Sequence, residues 1–143
     1  MVPPTRTTLW VRALFAAYLI SLAFVVFLPA REASTVTGFV GIIAGWLSSL
    51  GLPLAAAEVG VEFAANIVLF VPFGAFVRLL QPRQWSWLPV MILALVSSVT
   101  IEVVQLVIPG RVTALSDVIA NTVGAMVGLA AVKTVASAVR PDV

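Results

Sequence analysis

The stretch EVGVEFAANIVLFVPFGAFVRLL, running from Glu58 to Leu80, decides how the chain folds. It exceeds the ~20 residues that an α-helix needs to cross a hydrocarbon core of ~30 Å. After Glu62 its next charge is Arg78. A helix on the surface of a soluble protein has a polar face, whereas this run is apolar on nearly every side. Glu62 and Asn66 nevertheless sit inside it, one turn apart, and Pro72 lies in its middle. A proline there removes a backbone donor and predicts a kink. A carboxylate at membrane depth costs at least ~2.5–3.5 kcal/mol, so Glu62 must face other polar groups or water.

The rest of the chain agrees with a membrane reading. Of its 143 residues, 62% are hydrophobic and 10% are charged, against about 25% charged in an average soluble domain. Mean hydropathy is +1.15. A small soluble domain needs more polar surface than this, and we expect one transmembrane domain over residues 1–143. The sequence has no Cys and no His. That excludes a disulfide framework, a thiol nucleophile, a Ser-His-Asp triad and a zinc site of the usual His/Cys kind. No cofactor and no resident metal are expected. The pI near 9.9 reads as an orientation signal in a membrane chain, not as a nucleic-acid patch.

Three further spans come from the same length rule. Residues 9–28 form the first. The uncharged run from Ala13 to Ala30 is long, and Leu28-Pro29 before Ala30 is not a small-x-small cleavage site, so we expect an uncleaved helix. The Glu58 stretch is the second, residues 87–108 the third and 116–135 the fourth, with Ser116 as its N-cap and Asp117 at the positive end of its dipole. Residues 35–50 differ. Val36, Phe39, Val40, Ile43, Trp46, Leu47 and Leu50 make a stripe at i, i+3/i+4 spacing, and the opposite face is Gly, Ser and Thr. A one-sided apolar helix reads as lying in the outer interface or as re-entrant; the alternative is a fifth span. The expected fold is therefore an all-α polytopic bundle of four transmembrane helices plus one outer interfacial or re-entrant helix.

Basic residues choose between the alternatives. With four spans and the N-terminus inside, Arg6, Arg12, Arg78, Arg83, Lys133 and Arg140 share the inner side, and Arg31 and Arg111 the outer: six against two. Five spans give at best five against three. The positive-inside rule favours the first arrangement, with both termini cytoplasmic. Trp10, Trp46, Trp85 and Trp87 then serve as belt anchors.

The polar residues fall at one depth. Helices rise 1.5 Å per residue, so Glu62 and Asn66 lie roughly 6 and 12 Å below Glu58, and Glu102 roughly 9 Å below Ile108. Asp117 starts the fourth span, with Asn121 one turn deeper. Glu62 and Asn66 are i, i+4; Glu102 and Gln105 are i, i+3; Asp117 and Asn121 are i, i+4, with Gly124 and Gly128 continuing that face. The inner half of the same helices is almost bare of polar groups. Turning these faces together relieves the desolvation cost and predicts an outward-opening polar pocket. Arg111, in the Pro109-Gly110-Arg111 turn, is expected to bridge Glu102 and Asp117 or to meet an anionic head group. The Gly124/Gly128 pattern allows close helix approach, including by a second copy of the chain.

At these positions the sequence resembles the VanZ-like membrane proteins. Asn66-Ile67-Val68-Leu69-Phe70-Val71-Pro72-Phe73-Gly74 looks like their N-x-x-x-F-x-P-F-G motif. Ser98 to Gln105 is similar to their S-x-x-x-E-x-x-Q helix. Arg111, followed by Ser116-Asp117-Val118 and Asn121-Thr122-Val123-Gly124, matches their R…D-V-x-x-N-x-x-G run. Three ordered motifs from about Glu62 to Gly128 are far more specific than any one. The resemblance implies a bacterial cell-envelope protein of the cytoplasmic membrane, associated with resistance to glycopeptides of the teicoplanin type. It implies no defined biochemical activity.

Three functions remain open at this point. Glu62, Asn66, Glu102, Gln105, Arg111, Asp117 and Asn121 suit a site for an amphiphile from the outer leaflet: a lipid, a lipid-linked wall precursor or a lipoglycopeptide. Alternatively, Glu102 as acid and Asp117 as base are the catalytic candidates of an enzyme acting on a lipid-linked substrate, with a hard cation held by Glu62, Glu102 and Asp117. The third reading is a proton-coupled transporter or flippase. Against each stands a structural role: Glu102 as a polar lock, Asp117 as a helix start, Asn66 and Asn121 as interhelical glue.

Overall fold

A computed structural model describes residues 6–81 and 86–138, with the side chains of 30–37 excepted. Five helices succeed one another: α1 (Arg6–Phe27), α2 (Ala30–Ser49), α3 (Leu54–Leu80), α4 (Leu88–Gln105) and α5 (Leu115–Ala138). No strand occurs among the described residues. α1, α3, α4 and α5 are each long and apolar enough to cross a membrane, and the all-α bundle with four such helices is the fold expected. Arg83, Trp85, Arg140 and the side chain of Arg31, which entered the charge balance and the aromatic belt, lie outside the described residues.

Boundaries shift where prolines act. α3 starts at Leu54, directly after Pro53, and its 27 residues span about 40 Å, longer than a bilayer core. α4 ends at Gln105 instead of Ile108. Pro109 disfavours the helical conformation at the residue before it, and Gly110 takes a left-handed φ of 76°. That turn closes with the Arg111 N–H donating to the Ile108 carbonyl at 3.2 Å.

Helix directions decide what α2 does. The Phe15 ring of α1 meets those of Phe73 and Phe76 in α3, with centroids 6.0 and 5.4 Å away. Further along α1, the Tyr18 hydroxyl reaches back to the Leu69 carbonyl at 2.8 Å. As α1 advances its partner in α3 recedes, so the two are antiparallel. Gln105, at the end of α4, reaches Val26, at the end of α1, so those two are parallel. Gly124 and Gly128 of α5 lie against Ile67 and Val71 of α3, which makes that pair parallel. A crossing α2 would leave α3 parallel to α1. α2 therefore leaves and rejoins the bundle on one side, and the fifth-span alternative is ruled out.

The core joins Leu22 and Val26 of α1, Phe70, Phe73 and Val77 of α3, Val90, Ala94 and Ile101 of α4, and Ala125 and Leu129 of α5. Hydrocarbon solvent gives apolar side chains little reason to cluster, so close packing has to hold such helices together. Small residues supply it. A Cβ placed on Gly124 would overlap the Ile67 carbonyl, one on Gly128 the Val71 carbonyl, and one on Gly74 the Ala125 carbonyl. The Gly124/Gly128 face, whose pattern allows close approach of another helix, is thus filled by α3 of the same chain. Large apolar side chains such as Ile20, Phe24, Val68 and Val103 point outward, as a lipid-facing belt requires.

α3 runs unbroken through Pro72. Next to that proline the Tyr18 hydroxyl donates to Leu69 O and lies against the Phe73 N–H. These are the two groups that an undisturbed helical bond would join. The one Tyr of the chain thus serves the backbone beside Pro72, where the helical ladder is already missing a donor.

Candidate functional site

α3 and α5 run the same way while α1 and α4 run the other. The first half of α3, the end of α4 and the start of α5 therefore meet at one end of the bundle. Their polar faces enclose a cavity of about 540 Å³. Glu62, Asn66, Glu102, Gln105, Arg111, Asp117 and Asn121 all line it. The structure brings together every residue that spacing and depth had assembled. The remaining walls are largely apolar: Val25 and Val26 from α1, Phe39 and Val40 from α2, Leu69 from α3 and Ile101 from α4.

Each polar group has a distinct place. Glu62 is exposed, Asn66, Glu102, Arg111 and Asp117 are half-buried, and Gln105 and Asn121 are buried. Glu102 Oε2 accepts the N–H of Ala114 at 3.0 Å, which ties the end of α4 to the segment leading into α5. The backbone N–H of Asp117 donates to the Ala114 carbonyl at 3.0 Å. Asn66 of α3 faces the Asp117 carboxylate as a donor, and Ser116 stands beside it. Glu102 and Asp117 are close enough to repel each other. Deepest on this face, Asn121 Nδ2 donates to Ser98 Oγ at 2.8 Å, while Asn121 Oδ1 is buried without a partner.

Arg111 departs from expectation. Its Nε donates to the Leu28 carbonyl at 3.0 Å and its Nη2 to the Val25 carbonyl at 2.8 Å. Gln105 Nε2 adds a third bond of this kind, to the Val26 carbonyl at 2.8 Å. The last carbonyls of a helix have no partner within it and form the negative end of its dipole. Arg111 and Gln105 cap α1, and Arg111 does so with charge of the right sign. The guanidinium does not hydrogen-bond Glu102 or Asp117 as a bridge; its attraction to Asp117 acts through space.

The divalent-cation site considered for Glu62, Glu102 and Asp117 does not form either. Among the described residues no group of three such side chains is placed to hold a metal ion. Glu62 is exposed at the rim while Glu102 is drawn to the Ala114 amide.

Sequence reasoning missed Ser98 and the carbonyls of α1 as contributors. Ser98 shares a helix face with Glu102 and Gln105 at i, i+4 and i+7, and that spacing was enough to find it. Phe39 and Val40 belong to the apolar stripe of residues 35–50, and the structure places both in the cavity wall. The carbonyls of α1 left no trace, because every residue has one.

The family profile described as VanZ/LLP1 matches residues 15–136. The chain belongs to the VanZ/LLP1 family. It is also similar to Protein VanZ of Enterococcus faecium, with 30% identity over 119 residues, covering 82% of this chain and 70% of that protein. No solved structure matches. In this VanZ/LLP1 protein the matched range takes in every cavity-lining residue, from Val25 to Asn121. It also includes α2, whose Phe39 and Val40 line the same space.

Proposed function

We propose that this VanZ/LLP1 protein binds an amphiphile from the outer leaflet of the bacterial cytoplasmic membrane and so contributes to tolerance of teicoplanin-type glycopeptides. The ligand class comprises lipids, lipid-linked envelope precursors and lipoglycopeptides. The observation that carries the reading is the union of seven polar side chains, from three helices and one loop, in a single cavity with apolar walls. Such a lining suits a ligand with a polar head and a carbon chain.

Two features support it. Phe39 and Val40 bring α2 to the cavity as a lip, which suits entry from the side. An apolar groove of about 290 Å³ between α1 and α4 shares Val26 and Ile101 with the cavity, and an acyl chain continuing from the head has a bed there. Orientation belongs to the same proposal. Arg6, Arg12, Arg78 and Lys133 sit toward the helix ends away from the cavity, so the positive-inside rule turns the cavity outward.

The test is mass spectrometry of amphiphiles retained by the purified protein, wild type against Glu102→Gln, with teicoplanin tolerance measured on the same strains. Retention and tolerance should both fall in the variant. A wild-type protein that retains no amphiphile, or a variant with unchanged retention and tolerance, would sink the proposal.

A further inference from the structure

If the cavity holds an amphiphile, as proposed, its lining also restricts the chemistry of the head group. Three carboxylates, Glu62, Glu102 and Asp117, line the cavity against one guanidinium, Arg111. Two of the guanidinium nitrogens already serve the carbonyls of Leu28 and Val25. The cavity is therefore acidic and rich in acceptors.

Asn121 adds an independent observation. It is 4% exposed and lines the cavity one turn deeper than Asp117. Its amide nitrogen is spent on Ser98 Oγ at 2.8 Å, and its Oδ1 is buried with no partner. Buried polar atoms in native proteins are nearly always paired. Closed off behind the cavity wall, this oxygen is one more acceptor that the chain leaves without a donor.

We infer that the head group held here carries an ammonium, an inference that rests on amphiphile binding at this site. An ammonium offers three N–H donors and no acceptor, the complement of a site with surplus acceptors and negative charge. It pairs with a carboxylate by charge-assisted hydrogen bonds. A head group bearing only phosphate would bring acceptors and negative charge to a lining of the same kind. A divalent cation lacks the converging carboxylates it needs. Two amphiphiles supply the chemistry: an aminophospholipid and the free amine of a lipoglycopeptide.

The experiment uses the wild-type full chain in detergent micelles and four probes: phosphatidylethanolamine, its N-acetylated form, teicoplanin and N-acetylated teicoplanin. Affinities are read by native mass spectrometry titration. At least one free amine should bind, and its N-acetylated form should bind at least about tenfold more weakly, since acetylation forfeits a charge-assisted hydrogen bond. Whichever parent binds identifies the source of the amine. Asp117→Asn, with its melting temperature measured alongside, should weaken the free amine far more than the acetylated form. Equal binding of free and acetylated forms overturns the ammonium while amphiphile binding stands. Failure of all four probes overturns both.

Discussion

Arg111 Nη2 donates to the carbonyl oxygen of Val25 across 2.8 Å, although 86 residues separate the two in sequence. This bond, with its neighbour to Leu28, makes the loop before α5 the cap of α1. The residue that looked like a ligand for carboxylates or head groups is first a structural clamp.

Arg111→Ala should therefore lower the melting temperature of the purified protein. Hydrogen bonds to a charged group contribute about 1.5–3 kcal/mol each, and two are lost. Arg111→Lys should recover only part, because one ammonium cannot reproduce a fork that reaches two carbonyls. Wild-type melting of Arg111→Ala would refute the clamp.

Glu102 separates charge from shape. Its Oε2 accepts the Ala114 N–H, and a glutamine retains an acceptor in that position. Glu102→Gln should melt near wild type while losing antibiotic tolerance. Glu102→Ala should also lose stability, since an unsatisfied buried donor costs about 1–3 kcal/mol. Thermal melting of both variants decides; a Glu102→Gln protein as unstable as Glu102→Ala would assign Glu102 to structure alone.

Gly124 and Gly41 should respond oppositely to the same change. Gly124→Ala drives a methyl group into the Ile67 backbone, and overpacking of this kind costs about 1–3 kcal/mol or more. A Cβ on Gly41 meets nothing within 4 Å, and alanine is better than glycine in a helix by up to about 1 kcal/mol. Melting curves should show a large loss for the first and none for the second.

Orientation can be tested by cysteine labelling, since the chain has no native Cys. Val112 lies at the cavity end and is 84% exposed, while Ser137 lies near the far end of α5 and is also exposed. In intact cells an impermeant maleimide should label Val112→Cys and spare Ser137→Cys. The reverse pattern would put the cavity on the cytoplasmic side.

The outline of the site was legible because helix geometry is local. A rise of 1.5 Å and 3.6 residues per turn place Glu62 over Asn66, Glu102 near Gln105 and Asp117 over Asn121 before any tertiary contact exists. The cost of carboxylates in hydrocarbon then requires those faces to meet. Partner choice is not local in this sense. The bond from Gln105 to Val26 spans 79 residues and that from Asn121 to Ser98 spans 23, and each depends on how far its helix is rotated about its own axis.

Hydropathy, periodicity and desolvation cost can all be read along the chain. They establish four apolar spans, one helix with a one-sided apolar stripe and the depth at which the polar groups gather. Helix packing settles the rest: Arg111 caps α1, Gly124 and Gly128 receive α3, Tyr18 serves the backbone beside Pro72, and Asn121 keeps a buried, unpaired oxygen. Backbone carbonyls and glycine faces look alike in a sequence. Which of them is left without a partner, and what comes to fill it, depends on the packing of whole helices in three dimensions.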